Sequence, residues 1–241
     1  MENVHYAALI DEQKELYTSL AKKLKEQVMQ KVDDQGIDQS KMSILDALLK
    51  LRQLCCHPRL LKLDMPGVNT NMPSGKFDTF KDLVNSIIED GHKVLVFSQF
   101  VQMLHIMRSW LNMNKIPFSY LDGATKDRYE QVERFNQDAN VPIFLISLKA
   151  GGTGLNLTAA DYVIHYDPWW NPAVEDQATD RTHRIGQTKK VFSYKLICEN
   201  TVEEKILQLQ EQKKGVADAI IPGQDQWESL TRDDLEMLFE V

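Results

Sequence analysis

Disulfide frameworks, membrane spans and an excess of positive charge are all missing from this 241-residue sequence. Three cysteines, an odd number that includes the adjacent Cys55 and Cys56, do not make the evenly spaced scaffold of a small secreted domain, so reduced thiols are expected. Neighbouring cysteines rarely supply two ligands to one ion, and beyond His57 only Cys198 could join them, so no metal site is expected either. No stretch reaches the roughly 18 uninterrupted apolar residues of a membrane span. The opening MENVHYAALIDEQKEL mixes both signs of charge with no apolar signal core. A soluble intracellular protein with no membrane partner is the expectation. Lys and Arg total 28 against 35 acids, a net charge of -7, so a polyanion would have to be met by a local basic patch and not by the overall field.

What is present suffices for a sizeable core: 43% of the residues are apolar and 26% charged, which excludes disorder. Leu9, Leu16, Leu20, Leu24 and Val28 recur at helical spacing across residues 4 to 31, and Leu45, Leu48, Leu49 and Leu54 repeat the pattern across 41 to 56. Between about 62 and 74 the text LDMPGVNTNMPS loses all periodicity and reads as a boundary. After it, Phe77, Phe80, Leu83, Val84, Ile87 and Ile88 share one face of a helix that ends at Gly91, and a strand, VLVFS, follows at 94 to 98. Further strands are predicted at 118 to 121, 143 to 147, 162 to 166 and 191 to 196, with helices at 101 to 113, 126 to 137 and 173 to 182. Nearly all-apolar strands between helical patterns imply an α/β fold whose mainly parallel sheet is covered on both faces. A helix from Thr201 with Val202, Ile206, Leu209, Val216 and Ile220 inward stops at Pro222 and Gly223, and a short amphipathic helix from about 231 closes the chain. The expected divisions are a helical region at 1–65, an α/β lobe at 74–200 and bracing helices at 201–241.

Ligands of open α/β sheets bind at loops leaving the carboxyl ends of the strands. The loops to look at are therefore Ser98 to Phe100, Asp122 to Thr125, Ser147 to Asn156 and Asp167 to Pro172, all unusual in composition, and two of these loops together with one helix carry the candidate chemistry. SLKAGGTGLNL, 147 to 157, sets glycines beside Ser147, Lys149, Thr153 and Asn156, and backbone amides freed by glycine suit phosphate oxygens; a tight strand-to-helix turn would explain the same glycines. Neither G-x-x-x-x-G-K-[ST] nor G-x-G-x-x-G occurs, so the chain shows no triphosphate cradle of its own. QATDRTHRIGQ, 177 to 187, spaces Gln177, Arg181 and Arg184 by four and three, which places them on one helical face where two guanidinium forks could address one anion; a solvated face paired with Asp176 and Asp180 is the alternative. DPWWNP, 167 to 172, puts Trp169 and Trp170 side by side, so that one indole can face away from the core as a contact, or both can lie buried over the sheet edge.

In this order, SGKFDTF, VLVFSQF, LDGATKDRYEQVERFN, ISLKAGGTGLNLTAADYVIHYDPWWNP and QATDRTHRIGQ closely resemble the second motor lobe of Swi/Snf-type ATPases, from about residue 74 to 221. The upstream LRQLCCHPRLL resembles the helical insertion that precedes this lobe. The resemblance implies a RecA-like lobe of the superfamily-two helicase fold, with an N-terminal helical insertion and C-terminal helices. It implies that Arg181 and Arg184 act as arginine fingers toward ATP, with Gln177 in the same motif and Gly154 and Asn156 near the nucleotide. It places Lys76, Arg128, Lys149 and Trp170 on the backbone or minor groove of double-stranded DNA, with Ser98 and Gln99 lining the same surface. The first RecA-like lobe of such motors, which holds ATP and Mg, is not among these residues. The expected role is therefore the C-terminal half of an ATP-dependent DNA translocase or remodeller that is inactive alone, with a DNA-bound protein complex as a possible substrate. A non-catalytic DNA- or protein-binding module on the same lobe is the alternative, and a dinucleotide oxidoreductase lacks its fingerprint. The short C-terminus favours a bacterial cytoplasmic, nucleoid-associated setting, and a eukaryotic host would make it nuclear.

Overall fold

The computed structural model describes residues 2–61, 72–151, 155–167, 190–217 and 230–240. Its strands are β1 (Glu2–Ala7), β2 (Val94–Ser98), β3 (Phe118–Leu121), β4 (Ile143–Ser147), β5 (Tyr162–His165) and β6 (Phe192–Cys198). Its helices are α1 (Asp11–Cys56), α2 (Gly75–Glu89), α3 (Val101–Met113), α4 (Arg128–Gln137), the single turn α5 (Leu148–Gly151), α6 (Val202–Ala217) and α7 (Arg232–Leu238). Among the described residues no helix is long and apolar enough to cross a membrane. The chain divides into two compact units: Met1–Tyr6 with Phe77–Ile197, and Ala7–Lys76 with Cys198–Val241.

The first unit is built on one sheet of order β1-β6-β5-β2-β4-β3. β2 pairs in parallel with β4 and β5, β4 with β3, and β5 with β6. Every residue of VLVFS and IFLIS is buried, on both sides of the pleat, which is why these central strands read as unbroken apolar runs. Leu95, Phe97, Leu121, Phe135, Phe144, Ile146 and Val163 form a shared core, and burial of each such side chain contributes roughly 1.5–3 kcal/mol. Phe80 of α2 meets Tyr166 edge-on, with ring centroids 5.5 Å apart. The parallel α/β architecture is the one expected, and the strand limits at 94–98, 118–121 and 143–147 agree with the sequence reading.

Two expectations are corrected. The helix expected from residue 4 begins at Asp11, because Glu2–Ala7 forms β1 beside β6. The alternating Val4 and Tyr6 suit a strand once a neighbour supplies its hydrogen bonds. The two helices expected at 4 to 31 and 41 to 56 are a single span, Asp11–Cys56, broken only at Gly36, whose φ of 82° and ψ of 167° are non-helical. No atom lies within 4 Å of where a Cβ would stand there, so backbone conformation and not space calls for glycine. The helix expected at 173 to 182 lies outside the described residues.

In the second unit α1 and α6 are tied through buried polar groups. The Tyr17 hydroxyl accepts the Val202 N–H at 2.6 Å. Gln13 donates to the Leu54 carbonyl at 2.7 Å and accepts the Gly75 N–H at 3.2 Å. A capping box between Thr231 and Asp234 starts α7, the reciprocal arrangement that satisfies two orphan amides of a first turn.

Candidate functional site

Strand register decides which loops meet. Ser98 of β2 lies opposite Ser147 of β4, and Leu121 of β3 opposite Ile146, so the carboxyl ends of these three neighbours come level. Adjacent strands are about 4.8 Å apart, and the segments that leave them therefore share one rim. Lys149 stands exposed on α5 directly after β4, and Arg128 opens α4 after the turn that follows β3. Gln99, half-buried, follows β2, and Asn156 is exposed, with its carbonyl accepting the Asn136 side-chain amide at 2.9 Å.

Two carboxylates fix this rim. Asp167, buried after β5, accepts the Ser98 hydroxyl and, at 2.9 Å, the Gln99 N–H, and so clamps the loop leaving β2. Asp122 organises the turn after β3: it accepts the Ala124 N–H at 2.8 Å, the Thr125 hydroxyl at 3.1 Å and the Tyr120 hydroxyl at 2.8 Å. Burial alone would push its pKa up, but these donors outweigh burial and hold it below the usual carboxylate value. An Asp that bonds amides two residues on is the signature of an Asx turn, so Asp-Gly-Ala-Thr could have revealed this support in the sequence. Asp167 carried no such local signal, since its partner lies 69 residues away.

Lys76 and Ser98 stand otherwise than expected. Lys76 does not present its ammonium to solvent: it is fully buried in the second unit, bonded to both oxygens of Glu203 at 2.9 and 2.7 Å. Burial acts to lower its pKa, but the Glu203 carboxylate prevails and holds it above the ordinary lysine value, so the ammonium stays charged at neutral pH. Ser98 is likewise wholly buried, with its hydroxyl committed to Asp167 and not turned to an outer surface. Gly154, Trp170, Gln177, Arg181 and Arg184 lie outside the described residues.

The sequence kept Cys55 and Cys198 apart as metal ligands, yet their sulfurs and a Glu203 oxygen lie within 4.8 Å of one another. Burial, aided by its bond to Cys55 and by the charge of Glu203, pushes the Cys198 thiol well above its ordinary pKa. Lys76 meanwhile engages both Glu203 oxygens. A protonated thiol and a carboxylate neutralised by an ammonium are poor ligands, because a metal takes the thiolate.

Residues 75–186 match the helicase conserved C-terminal domain family. Over 99% of its length the chain superposes on 97% of the Sulfolobus solfataricus SWI2/SNF2 ATPase C-terminal domain, with TM-score 0.74 and 33% identity. The chain belongs to the Swi2/Snf2 ATPase family. It is the C-terminal, RecA-like helicase lobe of that family, and its sheet is the lobe's central sheet. All of the chain also superposes on 50% of the Sulfolobus solfataricus SWI2/SNF2 ATPase core solved in complex with dsDNA, with TM-score 0.78 and 35% identity. The putative ATP-dependent helicase/translocase YwqA of Bacillus subtilis is 41% identical over 206 residues, which are 84% of this chain and 22% of that protein. The chain spans only a small part of the relatives it matches, 8 to 23% of their length.

Proposed function

We propose that this Swi2/Snf2 lobe is the second half of an ATP-dependent motor that translocates on double-stranded DNA, working with a first RecA-like lobe that holds ATP and Mg. What carries the reading is the likeness of the whole chain, at 35% identity, to a Swi2/Snf2 core bound to dsDNA. The name helicase/translocase of the Bacillus relative agrees with it.

When bound, ATP supplies the phosphoryl transfer that drives stepping. Arg181 and Arg184, three residues apart in sequence, offer two guanidinium groups to the charge that develops on the transferred phosphoryl, with Gln177 in the same motif. Gly154 and Asn156 border the nucleotide. Lys149, Arg128 and Trp170 take the DNA backbone, and Gln99 lines the same surface. The donor set here fits a role without the metal: Asp122 and Asp167, the carboxylates that fix the described rim, are engaged by internal donors. We assign Mg, with ATP, to the first lobe, and this chain alone hydrolyses ATP negligibly. The motor acts where DNA is, in the bacterial cytoplasm at the nucleoid or in a nucleus, and a DNA-bound protein complex is its substrate.

The test is the ATPase rate of the full-length protein with duplex, with single strands and without DNA. Duplex should stimulate it most, and Arg181→Ala should abolish the stimulation. A rate indifferent to both comparisons would leave the binding module as the better reading.

A further inference from the structure

Beyond the strand-end rim, the outer edge of the sheet carries a concentration of positive charge. An open depression of about 460 Å³ beside β3 takes its polar lining from Arg108, Asn112, Lys115, Tyr120, Gln131 and Arg134, and the segment 116–118 supplies an apolar part. No Asp or Glu is among its lining residues, although acids outnumber Lys and Arg by 35 to 28 in the chain. On α4 the neighbouring acids are Glu130 and Glu133, of which Glu133 accepts the Tyr129 hydroxyl at 2.9 Å and the Gln137 amide at 3.4 Å. Arg108 lies over the Tyr120 ring, 5.2 Å from its centroid. Gln131 accepts the Tyr120 N–H through its side-chain oxygen at 3.1 Å, and its amide nitrogen remains as a donor.

Lys115 adds an independent observation. The Ile116 N–H bonds the Leu111 carbonyl at 3.0 Å and the Lys115 N–H bonds that of Asn112 at 3.1 Å, the paired closure of a Schellman cap. The left-handed position of such a cap is where glycine is usual, yet Lys115 holds it at φ 56°. A cation would gain from the helix dipole anywhere in the last turn, so the dipole does not select this one strained residue.

We infer that this depression binds phosphates of duplex DNA, as a second contact that extends the interface from the rim along α4. The inference rests on the motor reading above. Arg128 and Arg134 are six residues apart on α4, about 9 Å along its axis, a span crossed by about two to three phosphates of one strand. Six residues also turn the helix by about 600°, so the two side chains leave α4 about 120° apart, and the duplex meets Arg134 from beside the rim and not in line with Arg128.

The test is fluorescence anisotropy of a labelled 30-base-pair duplex with the full chain over a series of KCl concentrations. Lys115→Gly removes the charge and relieves the strain, so it should fold at least as well as the parent and yet lower the slope of log K against log salt by about one. Arg108→Ala/Arg134→Ala should lower it by about two, and Lys23→Ala, an exposed α1 control, should leave it unchanged. Unchanged slopes in both depression variants, with a lowered slope in Lys149→Ala, would sink the second contact and leave the motor reading standing. No duplex binding, or no change even in Lys149→Ala, would count against both. Capture of a polyglutamate peptide that the depression variants abolish while duplex slopes hold would assign the site to a protein and overturn it.

Discussion

Lys76 and Lys149 carry the same charge in opposite surroundings. In the second unit Lys76 lies at zero exposure against Glu203, within a cluster that also buries Tyr17, Cys55, Cys56 and Cys198. In the first, Lys149 stands in solvent at the end of β4, where carboxylates beneath the rim fix the backbone and leave the ammonium outward. The difference lies in where the counter-charge sits. A carboxylate beside the ammonium turns a lysine into a tie between segments 127 residues apart, whereas carboxylates spent on backbone N–H groups leave it available to an incoming anion.

If Lys76 is such a tie, removing its partner should cost most. Glu203→Leu leaves a buried ammonium unpaired and should destabilise the chain by about 3–5 kcal/mol in urea unfolding, while Lys76→Met/Glu203→Leu recovers most of the loss. A single variant as stable as the parent would break the comparison. Next, a Cβ at Gly75 would stand 2.0 Å from the Ala8 carbonyl oxygen, a backbone atom that cannot swing aside. Gly75→Ala should therefore cost about 1–3 kcal/mol by the same measurement.

The rim should respond more weakly. Asp122→Ala leaves the donors of Tyr120, Ala124 and Thr125 without their acceptor and should cost about 1.5 kcal/mol at neutral pH. Because its folded pKa is lowered, this carboxylate stabilises the chain above its unfolded value of about 3.9 and loses that contribution as pH falls through the folded value. The parent and Asp122→Ala should thus converge in stability as pH drops below about 4. Lys149→Ala should change stability by less than about 0.5 kcal/mol, and its effect should appear only in duplex binding.

The centre of the sheet was legible in the sequence because strands buried on both faces leave an unmistakable local trace. VLVFS, FSYL and IFLIS have the limits their composition announces. The turn after β3 was legible too, since Asp-Gly marks it. Features that depend on distant partners were not. β1 needs β6 beside it, Lys76 needs Glu203, and Ser98 needs Asp167, and nothing within a few residues of Glu2, Lys76 or Ser98 points to those partners. A basic residue in a DNA-binding pattern reads alike whether its counter-ion is a phosphate or an internal carboxylate, and only the fold distinguishes the two.

The motor reading turns on Arg184, and the most direct measurement is ATP-dependent displacement of a triplex-forming strand from duplex DNA by the full-length protein. The account predicts displacement by the parent and none by Arg184→Ala, with the variant still binding duplex. Displacement by Arg184→Ala at the parent's rate would contradict it.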